Sequence, residues 1–310
     1  MTKPQRDVWA ETLVELAATN PDILVMDADL ATSTKADKFA AAYPDRFLQM
    51  GIAEQGMVGA AAGLSFTGFV PWLSSFGIFF SNRALDQVRM SVAQTHANVK
   101  FGAAYTGLAA GLAGKTHVDV SDIATLRAMP GMTILAPVDA VETAAMTRWA
   151  TATPGPVYLR LGRESGPDVF GSDYVFEPRR VILLREGTEV LLVSTGQQTA
   201  RTLEAAELLG AEGISAGVLH VPSIKPVDEA AIAAAAANVP LVVTVEEHTV
   251  IGGLGGLVAE IVTAHEPCPM IRIGIEDTWG ESAPNAWLME RHGLTPERVA
   301  ERVRRVWSRG

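Results

Sequence analysis

The feature that most constrains this chain is a long segment without a charged side chain, Gln55 to Asn82. A membrane span needs roughly 20 apolar residues, and this segment is long enough to supply them. It lacks a sustained run of Leu, Ile and Val, however, and it is interrupted by Gly63, Gly68, Pro71, Ser74, Ser75 and Gly77. The pattern therefore favours a helix, a strand and a loop buried in a subunit interface over a membrane helix.

Glu54 is the ionisable group at the start of this uncharged segment. It lies between an apolar stretch that predicts a strand, Arg46 to Met50, and a run of small residues, Gly56 to Gly63. Glycine and alanine in such a run let another backbone approach closely. A carboxyl group that is buried can donate a proton near neutral pH. The simpler interpretation is an acidic residue at a helix N-terminus.

The composition excludes several classes of protein. The 310 residues suggest two domains of ordinary size, and 48% hydrophobic against 19% charged residues supplies apolar cores. A formal charge of −10 argues against a nucleic-acid surface, which needs a basic stripe. One cysteine, Cys268, excludes an intramolecular disulfide and suits the cytoplasm. Met1 to Arg6 leads directly into an amphipathic pattern, so no signal peptide is expected.

Strand-like apolar segments alternate with helical patterns along the chain. This alternation predicts an α/β fold of two three-layer α/β/α domains with mostly parallel sheets. The stretch Gly162 to Pro178 is rich in Gly, Pro, Ser and Asp and is the predicted linker. The predicted domains are therefore residues 1–170 and 180–310.

Two short segments of the second domain invite specific interpretations. Pro222 to Pro226 is predicted to be a turn between strand and helix. Gly252 to Gly256 opens a helical pattern and could cradle a phosphate at a helix N-terminus. Its spacing does not match the dinucleotide-binding fingerprint, so this remains a minor hypothesis.

The motif Gly51 to Met57, with the sequence GIAEQGM, resembles the pyrimidine-binding module of thiamine-diphosphate enzymes. The resemblance is closest to the C-terminal half of transketolase and extends from about Arg6 to the C-terminus. It implies a pyrimidine-binding domain followed by a transketolase C-terminal domain. In that family a glutamate at the Glu54 position hydrogen-bonds N1′ of the aminopyrimidine and favours its imino tautomer. The resemblance thus makes Glu54 both a catalytic and a cofactor-binding residue.

The same resemblance implies further cofactor contacts. Phe76, Phe79 and Phe80 precede Arg83, and three phenylalanines in an apolar stretch would otherwise be interpreted as core. In the family an aromatic ring at the Phe80 position stacks on the aminopyrimidine, and Phe76 would complete that pocket. The third aromatic residue of the family falls at Arg83, so the pocket wall differs there. Asp29 matches an aspartate that lies beside the cofactor at the dimer interface.

Substrate contacts are implied in the same way. His117 aligns with a family histidine near the substrate carbonyl and hydroxyls, although a lone histidine is more often structural. Arg6, Ser33 and Arg163 align with residues that converge on the phosphate tail of the sugar. Each of these would by default be an ordinary surface residue. Arg160 is a weaker candidate, since an inward-facing strand residue can simply pair a core carboxylate.

Two departures from the family bear on the substrate. Tyr105 stands where members usually have a phosphate-binding histidine, and Ala113 replaces an aspartate that contacts a substrate hydroxyl. Both changes would suit a different anionic tail, such as a sulfonate, or a branched or shortened sugar.

The chain also lacks the family's metal motif. That motif begins with Gly-Asp, a dipeptide that does not occur in this sequence. Carboxylates and carbonyl oxygens are the ligands that Mg²⁺ prefers, so no metal ligand is predicted here. The resemblance therefore implies a second subunit that carries the diphosphate-binding domain, holds Mg²⁺ and completes the thiamine-diphosphate site. An α2β2 heterotetramer is the expected assembly.

The implied activity is transfer of a two-carbon ketol unit from an anionic ketose to an aldose. Two alternatives remain open within the enzymes: a 1-deoxyxylulose-5-phosphate-synthase-like activity and the β subunit of a 2-oxoacid dehydrogenase. Both would use a pyruvate-type donor, which has no distant phosphate. A non-catalytic partner subunit is the third alternative, because the family's aspartate is missing at position 113.

Overall fold

The computed structural model describes residues 3–265 and 267–308, which form two sheets flanked by helices. The strands are β1 (Ile23–Asp27), β2 (Phe47–Gln49), β3 (Val70–Phe76), β4 (Lys100–Ala104), β5 (Thr133–Leu135), β6 (Val157–Leu161), β7 (Ile182–Arg185), β8 (Val190–Ser194), β9 (Ala216–His220), β10 (Ser223–Lys225), β11 (Leu241–Thr249) and β12 (Met270–Ile275). The α-helices are α1 (Gln5–Ala17), α2 (Ala31–Thr34), α3 (Asp37–Ala42), α4 (Glu54–Phe66), α5 (Leu85–Gln87), α6 (Asp122–Arg127), α7 (Ala140–Ala152), α8 (Gln198–Ala211), α9 (Glu229–Ala236), α10 (Leu254–His265), α11 (Asn285–Arg291) and α12 (Pro296–Trp307). Short 3₁₀ turns span Pro44–Arg46 and Leu108–Ala113, and π-helical turns span Phe79–Arg83 and Val88–Ala93.

The first sheet has seven strands in the order β10-β5-β6-β4-β3-β1-β2. All neighbours are parallel except β10, which runs antiparallel to β5. In the register Phe76 pairs with Ala104, and Ala104 pairs with Leu161. The carboxyl ends of β3, β4 and β6 therefore lie side by side along one edge of the sheet.

The second sheet has five strands in the order β12-β11-β8-β9-β7, and only the pairing of β7 with β9 is antiparallel among those described. Parallel strands joined by helices put helices on both faces of a sheet. The predicted α/β class with two helix-covered sheets is confirmed.

The strand β10 corrects one sequence prediction. Its residues, Ser223–Lys225, lie in the segment predicted to be a turn, yet they add a strand to the first sheet. The Lys225 ammonium group donates hydrogen bonds to the backbone oxygens of Arg127 and Met129, at 2.9 and 2.6 Å. The second half of the chain therefore completes the first sheet. The domain limits at 1–170 and 180–310 stay predictions.

Apolar packing fixes helices against both faces of the first sheet. On one face Trp9 of α1 meets Trp72 of β3 edge to face, with 6.1 Å between ring centroids, and both are buried. On the other face Met57 of α4 and Phe101 of β4 belong to one buried cluster. Burying a large apolar side chain stabilises a fold by roughly 1.5–3 kcal/mol, so these contacts hold the sheet edge in place.

The uncharged segment forms α4, β3 and the turn that follows. None of the described helices is long and apolar enough to cross a membrane. Gly56, Gly59 and Gly63 lie on α4 with no described atom within 4 Å of where a Cβ would stand. Ile52 and Phe66 near the two ends of this helix are exposed as well. The close approach that the small residues predicted is therefore not made within the described part of this chain.

Candidate active site

The residues that the sequence singled out follow the carboxyl ends of parallel strands. Glu54 follows β2, Phe79 follows β3, Tyr105 follows β4 and Arg163 follows β6. Ligands of open α/β sheets bind outside this edge, because the loops after adjacent strands form a crevice there. Tyr105 has a positive φ of 59°, which is uncommon for a residue with a side chain and marks a constrained position.

Glu54 is the first residue of α4, and its side chain is completely buried. Its Oε2 accepts a hydrogen bond from Arg83 Nη1 at 2.7 Å. Ser75 Oγ donates to Oε1 at 3.4 Å. A buried charge needs a paired partner, so the Arg83 guanidinium compensates this carboxylate in the free chain.

Arg83 and Phe79 lie at opposite ends of one π-helical turn. The Ala84 N–H donates to the Phe79 carbonyl at 2.9 Å, which closes that turn. The turn places the guanidinium carbon of Arg83 4.2 Å from the centroid of the Phe79 ring, a cation–π contact. Single π-helical turns occur frequently at functional sites.

A row of rings continues from Phe79. Phe79 and Phe76 are nearly parallel, at 11° with 6.0 Å between centroids, and Phe76 stacks on Tyr105 at 4.2 Å. His117 presents its ring edge to Phe79 and Phe76, at 5.6 and 6.0 Å. Thr116 Oγ1 lies 2.8 Å from His117 Nδ1 and orients the imidazole. We call Glu54, Arg83, Phe79, Phe76 and Tyr105, with His117 beside them, the ring row.

Positive charge collects at the Tyr105 end of the ring row. Arg6 Nη1 donates to the Tyr105 hydroxyl at 2.6 Å and to the Ser33 backbone oxygen at 2.7 Å. The guanidinium carbons of Arg6 and Arg163 lie 5.2 and 5.7 Å from the Tyr105 ring. Arg163 Nη1 also contacts Glu164 at 3.3 Å. Within the described residues, Nε of each arginine is buried without a hydrogen-bond partner, so each has a donor to spare.

Two predicted site residues lie apart from the ring row. Phe80 is fully buried and forms an edge-to-face pair with Phe101, with 5.1 Å between centroids. The partly exposed ring beside Arg83 belongs to Phe79, one residue earlier. Asp29 is exposed; its backbone N–H bonds Gln49 Oε1 at 2.9 Å, and no described contact joins its side chain to the row.

A buried polar cluster anchors the π-helical turn from beneath. Ser81 Oγ donates to Asp119 Oδ2 at 2.7 Å. Asp122 Oδ2 accepts from Arg160 Nε at 2.7 Å and from the Tyr158 hydroxyl at 3.1 Å. Burial, reinforced by the charge of Asp122, raises the pKa of Asp119 to about 7. Arg160 thus pairs a core carboxylate, as the simpler interpretation of its strand position predicted.

The glycine-rich stretch Gly252 to Gly256 is occupied from inside the protein. Glu246 accepts hydrogen bonds from the Leu254 and Gly255 N–H groups at 2.7 and 2.8 Å. These are the donors at the start of α10 that a phosphate would need, so the minor hypothesis of a phosphate cradle is wrong. Burial raises the pKa of Glu246 to about 7, and burial lowers the pKa of the adjacent His248 to about 4.

The described residues offer no metal site. Among residues 3–265 and 267–308 there is no group of three or more His, Cys, Asp or Glu side chains that could hold a metal ion. The carboxylates of the buried cluster are instead committed to Arg160, Ser81 and the Ser121 N–H group, and that of Glu246 to the N–H groups at the start of α10.

Three residues of the ring row were not among the predicted site residues. Arg83 and Tyr105 entered only as departures from a family pattern, and Phe79 was passed over for Phe80. One signal was available: Arg83 is the first charged residue after Glu54, and the two ends of the uncharged segment pair with each other. Phe79 carried no such signal. A π-helical turn contains about one residue more than an α-helical turn, which changes which side chains share a face.

Comparison with known proteins assigns both halves of the chain. Residues 3–168 match the family described as transketolase, pyrimidine binding domain, and residues 180–299 match transketolase, C-terminal domain. The chain is 38% identical to the 6-deoxy-6-sulfo-D-fructose transketolase subunit SqwH of Clostridium sp., over 98% of this chain and 94% of that protein. It is 36% identical to an apulose-4-phosphate transketolase subunit of Phocaeicola vulgatus, over 96% of this chain and 95% of that protein.

A solved structure agrees with these relatives. The split gene transketolase described as an inactive β4 tetramer superposes with a TM-score of 0.91 at 43% identity, over 98% of both chains. The matches cover both sheets and the whole ring row; the two relatives are named as transketolase subunits and the solved structure as a split gene transketolase. This chain belongs to the transketolase family and is the C-terminal subunit of a split transketolase.

Proposed function

We propose that this subunit, together with an N-terminal partner, transfers a two-carbon ketol unit from an anionic ketose to an aldose by means of thiamine diphosphate. The observation that carries the proposal is the unbroken ring row. It joins a buried carboxyl group, Glu54, to a pair of arginines, Arg6 and Arg163, along one sheet edge. A cofactor at one end and a charged sugar tail at the other would use both ends at once.

The residues at the Glu54 end fit the pyrimidine half of the cofactor. Glu54 offers a fully buried carboxyl group, and Phe79 offers a flat ring face on the other side of Arg83. Phe79 replaces Phe80 in this proposal, Phe76 backs it, and Asp29 is assigned to the rim near the subunit interface. When bound, thiamine diphosphate supplies the electron sink for breaking and forming the carbon–carbon bond. His117, at the edge of both rings, would hold a donor hydroxyl or move its proton.

The residues at the Tyr105 end fit an anionic tail. Among the described residues, the Nε–H groups of Arg6 and Arg163 make no hydrogen bond, although Asp7 Oδ2 lies 4.0 Å from that of Arg6. Guanidinium groups bind phosphate and sulfonate oxygens as forks. Ser33 lies against Arg6 and would add its hydroxyl. The names of the two relatives above give one a sulfonated and the other a phosphorylated sugar, which supports either tail. A 2-oxoacid dehydrogenase substrate has no distant charge for this end, so the arginines favour a sugar phosphate or sulfonate over the dehydrogenase alternative. The synthase alternative also forms a sugar phosphate, and donor use, ketose against pyruvate, separates it from the proposal.

The partner would supply what this chain does not. We assign the diphosphate group and Mg²⁺ to the N-terminal subunit, because the described residues offer no metal cluster. The small-residue face of α4, with Ile52 and Phe66 exposed, would be covered in an α2β2 heterotetramer in the cytoplasm. The inactive β4 assembly of the solved relative supports the need for a partner. Domains at 1–170 and 180–310 are supported by the family matches.

Reconstitution tests the proposal. The chain is mixed with the N-terminal subunit, thiamine diphosphate and Mg²⁺, and ketol transfer is followed from phosphorylated and sulfonated ketoses. We expect activity only in the mixture. Arg163→Gln should raise KM for the charged ketose at least tenfold and leave an uncharged ketose unaffected, whereas Arg148→Gln, on an exposed pair with Glu15, is the matched control. Activity of this chain alone, or turnover of pyruvate but of no ketose, would contradict the proposal.

A further inference from the structure

At the Glu54 end of the ring row, the Arg83 side chain makes both contacts that the proposed function gives to the cofactor: the hydrogen bond to Glu54 and the stacking on the Phe79 ring. Its Nη1 holds Glu54 Oε2 at 2.7 Å, and its guanidinium carbon lies 4.2 Å from the Phe79 centroid. The guanidinium is flat and lies over a ring, as a stacked pyrimidine would. A cofactor that hydrogen-bonds Glu54 and stacks on Phe79 therefore competes with this side chain for the same two contacts.

Arg83 and the cofactor also need the Glu54 carboxyl group in different protonation states. An ionised carboxylate only accepts hydrogen bonds, which suits the guanidinium. A ring nitrogen that carries no proton needs a donor, and only the protonated carboxyl group is one. Glu54 cannot serve Arg83 and such a nitrogen through the same oxygen. We propose that Arg83 is a latch that closes the pyrimidine site of the unloaded subunit and must swing away when thiamine diphosphate binds; this inference rests on the proposed function.

The surroundings of Arg83 allow that movement. The Arg83 side chain is 42% exposed, while that of Glu54 is 0% exposed. Among the described residues its guanidinium makes one hydrogen bond, to Glu54, and one ring contact, to Phe79. Its release would leave Glu54 with Ser75, whose hydroxyl lies 3.4 Å from Oε1. The Arg83 side chain is unbranched, and water can solvate its charge once the guanidinium group has moved away from Glu54.

The latch also explains how the buried Glu54 carboxylate is tolerated before the two subunits assemble with the cofactor. Removing one partner of a buried pair leaves an uncompensated charge, which is strongly destabilising. In the unloaded subunit Arg83 supplies that compensation, and in the loaded complex the pyrimidine takes over the contact with Glu54. The cost of releasing the latch is subtracted from the binding free energy of the cofactor, so the latch lowers affinity.

The test measures cofactor affinity in the reconstituted complex with Mg²⁺ present, by calorimetry and by quenching of intrinsic fluorescence. Arg83→Met keeps the length and apolar stem of the side chain and removes its charge. We expect this variant to bind thiamine diphosphate about tenfold more tightly than wild type, which corresponds to about 1.4 kcal/mol. Arg83→Lys, which keeps the charge but not the flat group, should fall between the two. Circular dichroism and the thermal midpoint show whether each variant is folded.

The outcomes separate the latch from the proposed function. Equal or weaker binding by folded Arg83→Met would overturn the latch and make Arg83 a residue that helps to hold the cofactor. If the wild-type complex binds no thiamine diphosphate at all, the proposed function itself fails. A direct readout comes from the chain alone with the free aminopyrimidine alcohol as probe: we expect binding to Arg83→Met and none to wild type. Binding to wild type with equal affinity would contradict a closed site.

Discussion

Two carboxylate–guanidinium pairs in this protein have the same bond length and opposite surroundings. Glu54 meets Arg83 at 2.7 Å at the sheet edge, and Asp122 meets Arg160 at 2.7 Å in the buried cluster. Both acids are fully buried, but the Arg83 side chain is 42% exposed and the Arg160 side chain only 8%. Tyr158 donates a second hydrogen bond to Asp122, and the Glu247 backbone oxygen accepts one from Arg160.

The difference shows that distance alone does not tell what an ion pair does. An ion pair whose two side chains are both buried and hydrogen-bonded to further groups cannot separate without leaving a buried charge. An ion pair with one solvent-exposed side chain, here called half-open, can exchange that side chain for another ligand. In this protein the half-open pair is Glu54 and Arg83. The buried pair therefore joins β6 to the start of α6 beneath the site, while the half-open pair is suited to binding. Substitutions in and around the two pairs test this contrast.

The largest effect is expected from breaking the buried pair. Asp122→Ala leaves the Arg160 guanidinium buried and uncompensated, which should destabilise the protein by about 3–5 kcal/mol. Urea unfolding followed by circular dichroism measures this loss. The matched control is Asp86→Ala, which removes an exposed pair with Arg89 and should cost about 0.5 kcal/mol or less. Equal losses in the two variants would remove the distinction between the pairs.

The half-open pair should affect catalysis instead of stability. Glu54→Gln keeps the shape of the side chain but loses the carboxyl group, so turnover of the reconstituted complex should fall by about 100-fold or more. Steady-state kinetics with saturating cofactor measure the loss, and Glu15→Gln, on the exposed pair with Arg148, is the control. Unchanged turnover in Glu54→Gln would favour the non-catalytic alternative for this subunit.

Glu246 and His248, which continue the buried cluster through the 3.8 Å approach of His248 to Asp122, should also respond to pH. Burial raises the pKa of Glu246 from its ordinary 4.5 to about 7, so the folded protein holds a proton there that the unfolded chain releases. The stability contributed by this group is complete below pH 4.5 and is lost as pH rises to about 7. Burial lowers the pKa of His248 to about 4, and its contribution runs the other way, rising up to about pH 6.5.

Substitution separates the two contributions. Glu246→Gln cannot titrate, so between about pH 5 and pH 7.5 its thermal midpoint should fall less, or rise more, than that of wild type. Scanning calorimetry at both pH values gives the comparison. If the thermal midpoints of wild type and Glu246→Gln change by the same amount between the two pH values, the proton on Glu246 is not linked to folding.

The smallest effect is expected from an ion pair between the two halves of the chain whose acidic end is exposed. Arg127 forms two 2.7 Å hydrogen bonds with Glu260, whose side chain is 63% exposed. Arg127→Ala should cost about 1 kcal/mol or less, and the difference from wild type should shrink in high salt. Unfolding in low and high salt tests this. A loss as large as that of Asp122→Ala would show that exposure is a poor guide to the strength of these pairs.

Much of the architecture and part of the site could be predicted from local sequence. The alternation of apolar strands and amphipathic helices predicted the α/β class, because side-chain periods of 2.0 and 3.6 depend only on near neighbours. The motif around Glu54 indicated the family, and the strand position of Arg160 indicated a core partner. The loops after β3, β4 and β6 could be expected to meet, because parallel strands end on the same edge.

The remaining features depend on contacts between distant parts of the chain. A local pattern does not show that Ser223–Lys225 adds a strand to the first sheet, because its partner β5 lies far back in the sequence. A local pattern also does not show that Phe79 lies between Phe76 and Arg83 on a π-helical turn while Phe80 is buried. Sequence by itself determined which residue types were available at the sheet edge. The tertiary structure decided that Arg83, 29 residues after Glu54, closes on it, since the packing of α4 against β3 and against the turn Phe79–Arg83 brings the two charges together.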